Sequence, residues 1–216
     1  MENNKVWPQR IVTLLLTAYF VLGYIPINHF NVARGVFYTL GLPGEDKIPF
    51  LIPFILGYCL VYGSFLIIYF AAPNWDVFKK AAWGYFWVTT VHYVIFLIFP
   101  VKMIWRPEIV NPNTFFEYLT WFFFWVDKPY NCFPSLHVAY PTFAAVFSYR
   151  FLPRVFLVNV ALAFLTAFSV VVIKQHYILD AFGGAAIATL IGVLIPQFSS
   201  FRRPACRQAG SRNPVL

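Results

Sequence analysis

The sequence predicts an all-α membrane protein, a bundle of six transmembrane helices, on three observations. Hydrophobic residues make up 60% of the 216 and aromatic residues 21%. Only 11% are charged, where a soluble domain carries about 25%. Several apolar runs approach or exceed the roughly 20 residues needed to cross a bilayer.

Taken in order, the candidate spans are 11–28, 50–72, 81–101, 133–149, 154–173 and 177–198. The first follows Lys5 and Arg10. Its apolar run is long for a signal peptide and has no small-x-small cleavage site, so it is expected to stay as a helix. The second, Phe50 to Ala72, contains no charge. Pro53 and the glycines fit membrane helices, where neighbours re-satisfy freed backbone groups. The third ends near Pro100. Thr114 to Val126, TFFEYLTWFFFWV, is dense in aromatics and is expected to lie at headgroup level as an interfacial helix, a lid or a re-entrant segment. The fourth span is the shortest and the richest in polar atoms. The sixth carries Gly184, Ala188 and Gly192, a four-residue spacing that lets helices approach closely, and is expected to be central. Residues 1–200 read as one membrane domain and 201–216 as a basic cytoplasmic tail.

Counting Lys and Arg by side sets the orientation. Both termini and the loops after spans two and four hold Lys5, Arg10, Lys79, Lys80, Arg150, Arg154, Arg202, Arg203, Arg207 and Arg212. The opposite side holds Arg34, Lys47, Lys102, Arg106, Lys128 and Lys174. The excess places the termini in the cytoplasm. The net charge of +8 therefore reads as topology and contact with anionic headgroups. Nucleic-acid binding would need a soluble basic face, which this chain lacks. Cys59, Cys132 and Cys206 fall in different places and suggest no disulfide; Cys206, beside Arg202 and Arg203, is a candidate for acylation.

Two polar stretches interrupt the apolar chain, NCFPSLHVAY (131–140) and KQHYILDAFGG (174–184). Six spans place the starts of spans four and six on one, non-cytoplasmic face. Arg106 and Pro107, just after span three, lie there too. Topology alone thus gathers Arg106, Ser135, His137, Lys174, His176 and Asp180 at one depth. Pro134 suits a first helical turn, and the amides after it, with Ser135, make a phosphate site. Arg106 and Lys174 add donors and charge. His176 and Asp180, four apart, are expected to share a helix face. The carboxylate then holds one imidazole nitrogen protonated and aims the other at an electrophile. His137 is the second acid–base group. This constellation fits phosphoryl transfer, which depends on positioning and charge stabilisation. No acidic cluster suits Mg²⁺, since Glu108, Glu117 and Asp127 are scattered, so no metal or other cofactor is expected. His92 reads as a core hydrogen-bonding group. His29 and the pair Glu45–Asp46 read as a solvated rim.

FPSLH followed by HYILD resembles the type 2 phosphatidic acid phosphatase superfamily of membrane lipid phosphatases and phosphotransferases, over roughly Pro100 to Gly184. The resemblance implies a metal-independent phosphohistidine mechanism. By position, His176 is then the nucleophile, Asp180 its orienter, His137 the acid and later the base, and Ser135 a phosphate ligand. Three departures stand out. Leu136 replaces a Gly, Val170 stands where an Arg is usual, and Lys102 precedes Arg106–Pro107 by only three residues. Lys174 is expected to supply the charge of the missing Arg. PSLH, the FP ending at Pro100 and KQHY are similar to the inositol phosphorylceramide synthase-like branch. The expected activity is hydrolysis of a lipid phosphomonoester or diphosphate. The alternatives are transfer of a phosphorylated headgroup to a second lipid and, from another class, a transporter or scaffold.

Overall fold

The computed structural model describes residues 6–198. Lys5 and the 201–216 tail, with Cys206 and its neighbouring arginines, lie outside the described residues. Among those described, the chain is helical, its sole extended pairing a single bridge between Tyr38 and Val101.

Helix α1 runs from Val6 to Arg34, well beyond the predicted 11–28. It continues through Pro26 and ends at Gly35, which adopts φ 67°, the left-handed conformation that ends helices and suits glycine. Arg34 donates to the Leu97 carbonyl at 2.8 Å. His29 therefore sits exposed on the last turns of a helix and not in the outer loop expected for it.

After a short 3₁₀ turn that absorbs Pro53, α2 spans Ile55–Ala71. Helix α3, Trp75–Ile98, starts six residues before the predicted 81. The Asn74 side chain caps it, accepting from the Val77 amide at 3.0 Å, and caps of this kind are worth about 1 kcal/mol. Lys79 and Lys80 are consequently helical, with Lys79 paired to Asp76 at 2.9 Å.

Helix α4, Phe115–Val126, opens with a capping box: the Glu117 amide donates to Thr114, and the Thr114 amide donates to the Glu117 carboxylate. Its aromatics divide at helical spacing. Phe116 and Phe123, with Leu119, pack against the buried cluster that contains Ile55 and Tyr58, while Phe115, Tyr118, Trp121 and Trp125 face out. Helix α5 is Leu136–Phe151, α6 Phe156–Val172 and α7 Ile178–Phe198.

Five of these helices are long and apolar enough to cross a membrane: α1, α2, α3, α6 and α7. The fourth predicted span, α5, has 16 residues, about 24 Å of helix against a hydrocarbon core of about 30 Å. Phe70, Leu157 and Phe164 are 79%, 75% and 74% exposed on the outside of the bundle. An apolar surface of that kind needs lipid around it, and the chain is an integral membrane protein.

The centre belongs to α5, which touches α2, α3, α6 and α7, and not to the sixth predicted span. Its small residues Ala139, Ala144, Ala145 and Ser148 are buried and let four neighbours approach. The Gly184–Ala188–Gly192 stripe of α7 does face inward, onto α5: a Cβ at Gly184 would collide with the Ser135 carbonyl, and one at Gly192 would press on Val146. Gly184→Leu is expected to destabilise the protein by ~1–3 kcal/mol through overpacking, read as a lowered Tm in detergent. An unchanged Tm would mean that this contact is looser than it looks.

Candidate active site

The chain enters α5 through Asn131–Ser135. Ser135 is the N-cap, its hydroxyl accepting from the Val138 amide at 3.4 Å. Pro134 thus precedes the cap and does not occupy the first helical turn expected for it; the Phe133–Pro134 peptide is cis. The Ser135 amide donates to the Asp180 carbonyl at 2.9 Å, which fastens the start of α5 to the start of α7 and sets His137 in the first turn.

His176 arrives from the opposite direction. At the end of α6, Lys174 takes φ 54°, and the amides of Gln175 and His176 both donate to the Val170 carbonyl, at 2.9 and 3.0 Å. This wrapped turn leaves His176 before α7 begins. The helical spacing expected for His176 and Asp180 is therefore replaced by a loop residue facing a first-turn carboxylate.

The two imidazoles meet, His137 Nδ1 lying 3.1 Å from His176 Nε2. On its other side His176 Nδ1 lies 2.9 Å from the Cys132 carbonyl and 3.5 Å from Asp180 Oδ2. A carbonyl only accepts, so Nδ1 carries the hydrogen and Nε2 presents its lone pair towards His137. The backbone of Cys132, more than the Asp180 carboxylate, sets this tautomer. Asp180 Oδ2 accepts from the Tyr177 amide at 2.8 Å, and Oδ1 is buried without a protein partner among the described residues.

Arg106 joins this centre through Gln175. Its Nη1 donates to the Asp127 carbonyl at 2.7 Å and its Nη2 to Gln175 Oε1; the guanidinium stacks on Phe124, 4.2 Å from the ring centroid. Asp127 in turn accepts from Gln175 Nε2 and Tyr24. Burial pushes its carboxyl above the usual range, with Arg106 opposing. A cavity of about 550 Å³ opens beside Arg106, lined by Lys102, Lys128, Trp121, Phe124 and Trp125 among others.

Two predicted phosphate ligands are turned elsewhere. Lys174 donates to the carbonyls of Glu45 and Asp46 at 3.0 and 3.4 Å, because an ammonium this buried must satisfy its donors within the protein. Burial lowers its pKa, against the pull of Glu45 and Asp46. Lys102, which lines the cavity, has its ammonium 4.8 Å from the ring centroids of both Phe37 and Tyr130.

Several contributors carry no sequence signal. Gln175 stands as a spacer between Lys174 and His176. Glu45, expected on a solvated rim, is 4% exposed. Its carboxylate accepts from the Ile178 amide at 2.6 Å and from the Leu42 amide at 2.9 Å. An acidic group at the positive end of α7 is favourable, so it is drawn inward, while Asp46 stays exposed. His92 is the core group expected, its Nδ1 2.7 Å from the Val88 carbonyl. Cys132, His176 and Asp180 each offer a ligand atom within 4.8 Å of the others. In the present arrangement, however, His176 Nδ1 and Asp180 Oδ2 are held by backbone groups.

Compared with known proteins, residues 50–194 match the family model described as the PAP2 superfamily. That stretch runs from the turn before α2 almost to the end of α7 and contains every predicted site residue. No curated protein and no solved structure matches the chain.

Proposed function

We propose, from the premise that this chain belongs to the PAP2 superfamily, that it is a metal-independent lipid phosphatase working through a phosphohistidine on His176. The observation that carries the reading is the facing imidazole pair, with His176 Nδ1 already committed to a backbone carbonyl. The phosphoryl group of a lipid phosphomonoester or diphosphate displaces the His137–His176 hydrogen bond. His176 Nε2 attacks, the N–P bond forms and the P–O bond to the leaving group breaks. His137 enters as an imidazolium, favoured by the substrate's charge, and gives its proton to the leaving oxygen. It then takes a proton from water, whose oxygen bonds to phosphorus as the N–P bond breaks, restoring both histidines. Arg106 and the start of α5 at Ser135 hold the non-bridging oxygens. Lys102 lines the approach, and Lys174 steadies the turn bearing His176 through the 45–46 loop.

On this reading α5 is the sixth crossing element, its short length shielded by the helices around it. The Lys and Arg bias supports cytoplasmic termini and a site on the opposite, periplasmic or lumenal face. Helix α4 lies along that interface with its outer aromatics in the headgroups.

One observation favours a second reading. The cavity beside Arg106 has room for a polar acceptor, as needed by a phosphotransferase of the inositol phosphorylceramide synthase-like kind. Purified protein should be assayed for phosphate release from a panel of lipid phosphates, with and without inositol or ceramide. Release insensitive to both supports hydrolysis. Release suppressed in favour of a new phosphoester makes the protein a transferase, and inertness towards every lipid phosphate leaves the transporter or scaffold reading.

The same assay tests the metal expectation. Activity should persist in EDTA and fall with vanadate, which mimics five-coordinate phosphorus on His176. Loss in EDTA that Mg²⁺ restores would overturn the mechanism. Asp180→Asn should keep the Tyr177 contact and leave Cys132 in charge of the tautomer, costing only about 10- to 100-fold in kcat, the effect of ~1.4–2.7 kcal/mol. A loss as complete as that of His176→Ala would give Asp180 the orienting role instead.

A further inference from the structure

Helix α1 lies wholly outside the matched residues 50–194, yet one of its faces is polar and buried. Tyr24, Asn28 and Asn31 follow one another at spacings of four and three, which aligns them on a helix. All three reach the segment that joins α4 to α5. Tyr24 donates to Asp127 Oδ1, Asn28 to the Lys128 carbonyl at 2.8 Å, and Asn31 to Asn131 Oδ1 at 2.7 Å.

The Tyr24 contact has a chemical consequence. Gln175 offers a donor at one end of its amide and an acceptor at the other. Asp127 Oδ2 only accepts, so it draws the NH₂ end to itself. That leaves Oε1 as the end that meets the Arg106 guanidinium. Were the amide reversed, two sets of donors would face each other and Arg106 would lose that partner. Tyr24, occupying the other carboxylate oxygen, holds Asp127 in the rotamer that enforces this choice.

We propose that Asp127, braced by Tyr24 of α1, is a positioning residue that fixes the Gln175 amide and through it aims Arg106 at the substrate's phosphate. The inference rests on the phosphate-binding role assigned to Arg106 above. Asp127 and Tyr24 touch no reacting atom; they act through the polarity of one amide.

The test exchanges that polarity. Asp127→Asn allows the Gln175 amide to lie either way round, and Gln175→Glu sets two carboxylates face to face. Each single variant is expected to weaken vanadate inhibition and raise the lipid KM about tenfold, the equivalent of ~1.4 kcal/mol, with kcat changed much less. In the double variant, the new amide at position 127 accepts from Tyr24 and donates to the new carboxylate at position 175, which accepts from Arg106. Every bond is then remade with the charge conserved. Its vanadate affinity should return to within about threefold of wild type, a coupling of the size that contacting groups show. Losses that multiply in the double variant overturn the proposal. Should Asp127→Asn fail to fold, Tyr24→Phe reads the same coupling: it should weaken vanadate binding in the wild-type background and not in Arg106→Lys. Equal effects in both backgrounds overturn the proposal. A wild-type protein indifferent to vanadate would instead remove the phosphate-binding reading itself, and this inference with it.

Discussion

His176→Ala is expected to abolish phosphoryl transfer, lowering kcat by about four to six orders of magnitude, as loss of a covalent nucleophile does. The size of the effect follows from the geometry. Nε2 of His176 is the atom whose lone pair is freed by the Cys132 contact on Nδ1, and it faces a second imidazole, that of His137, at 3.1 Å. His92 has a like contact from Nδ1 to the Val88 carbonyl, but its Nε2 is buried with no hydrogen-bonding partner among the described residues. Rapid quench with radiolabelled lipid phosphate, followed by mapping of acid-labile, base-stable label, should find the label on His176 in wild type and nowhere in the variant. Label on His137, or turnover surviving the substitution, would sink the assignment.

His137→Ala should be nearly as inactive towards natural substrates, by about two to four orders of magnitude, the usual weight of a general acid–base group. It differs in kind from the first variant. On the proposed mechanism, removing His137 takes away the proton for the leaving oxygen and leaves the attacking nitrogen in place. A substrate whose leaving group needs little protonation should therefore still phosphorylate His176 in this variant. The intermediate should then accumulate, because no base remains to activate water. A burst of stoichiometric leaving-group release, followed by a stalled enzyme, is the expected signature. Equal inertness towards good and poor leaving groups would assign His137 to packing, where its 4.4 Å approach to the Tyr58 ring would be its main role.

Much of this protein was legible in its sequence. Hydropathy located the long apolar helices, because a bilayer rewards any residue of the right polarity regardless of its neighbours. Local spacing located the motifs. FPSLH begins α5, Asp180 stands in the first turn of α7, and Gly184 is small where two helix ends must touch. Counting spans by parity predicts that His137 and His176 share a face, and the two imidazoles do meet.

What only the tertiary structure decided depends on pairings that leave no local pattern. Tyr24 and Asp127 are 103 residues apart, and Glu45 and Ile178 are 133 apart. Neither end of such a pair looks unusual in its own stretch, so Glu45 reads as rim and Tyr24 as one aromatic among many. The same holds for Lys174, whose position beside His176 suggests a phosphate ligand. Its backbone turns it away, and burial obliges it to find carbonyls. The sequence by itself determined which residue types stand at the starts of α5 and α7, the groups proposed for the chemistry, because residue type and helical period are local properties. The fold decided which of them face one another, which carbonyl sets the tautomer of His176 and which carboxylate orders the amide beside Arg106, because in a low-dielectric interior each buried polar group must take whatever partner the packing brings to it.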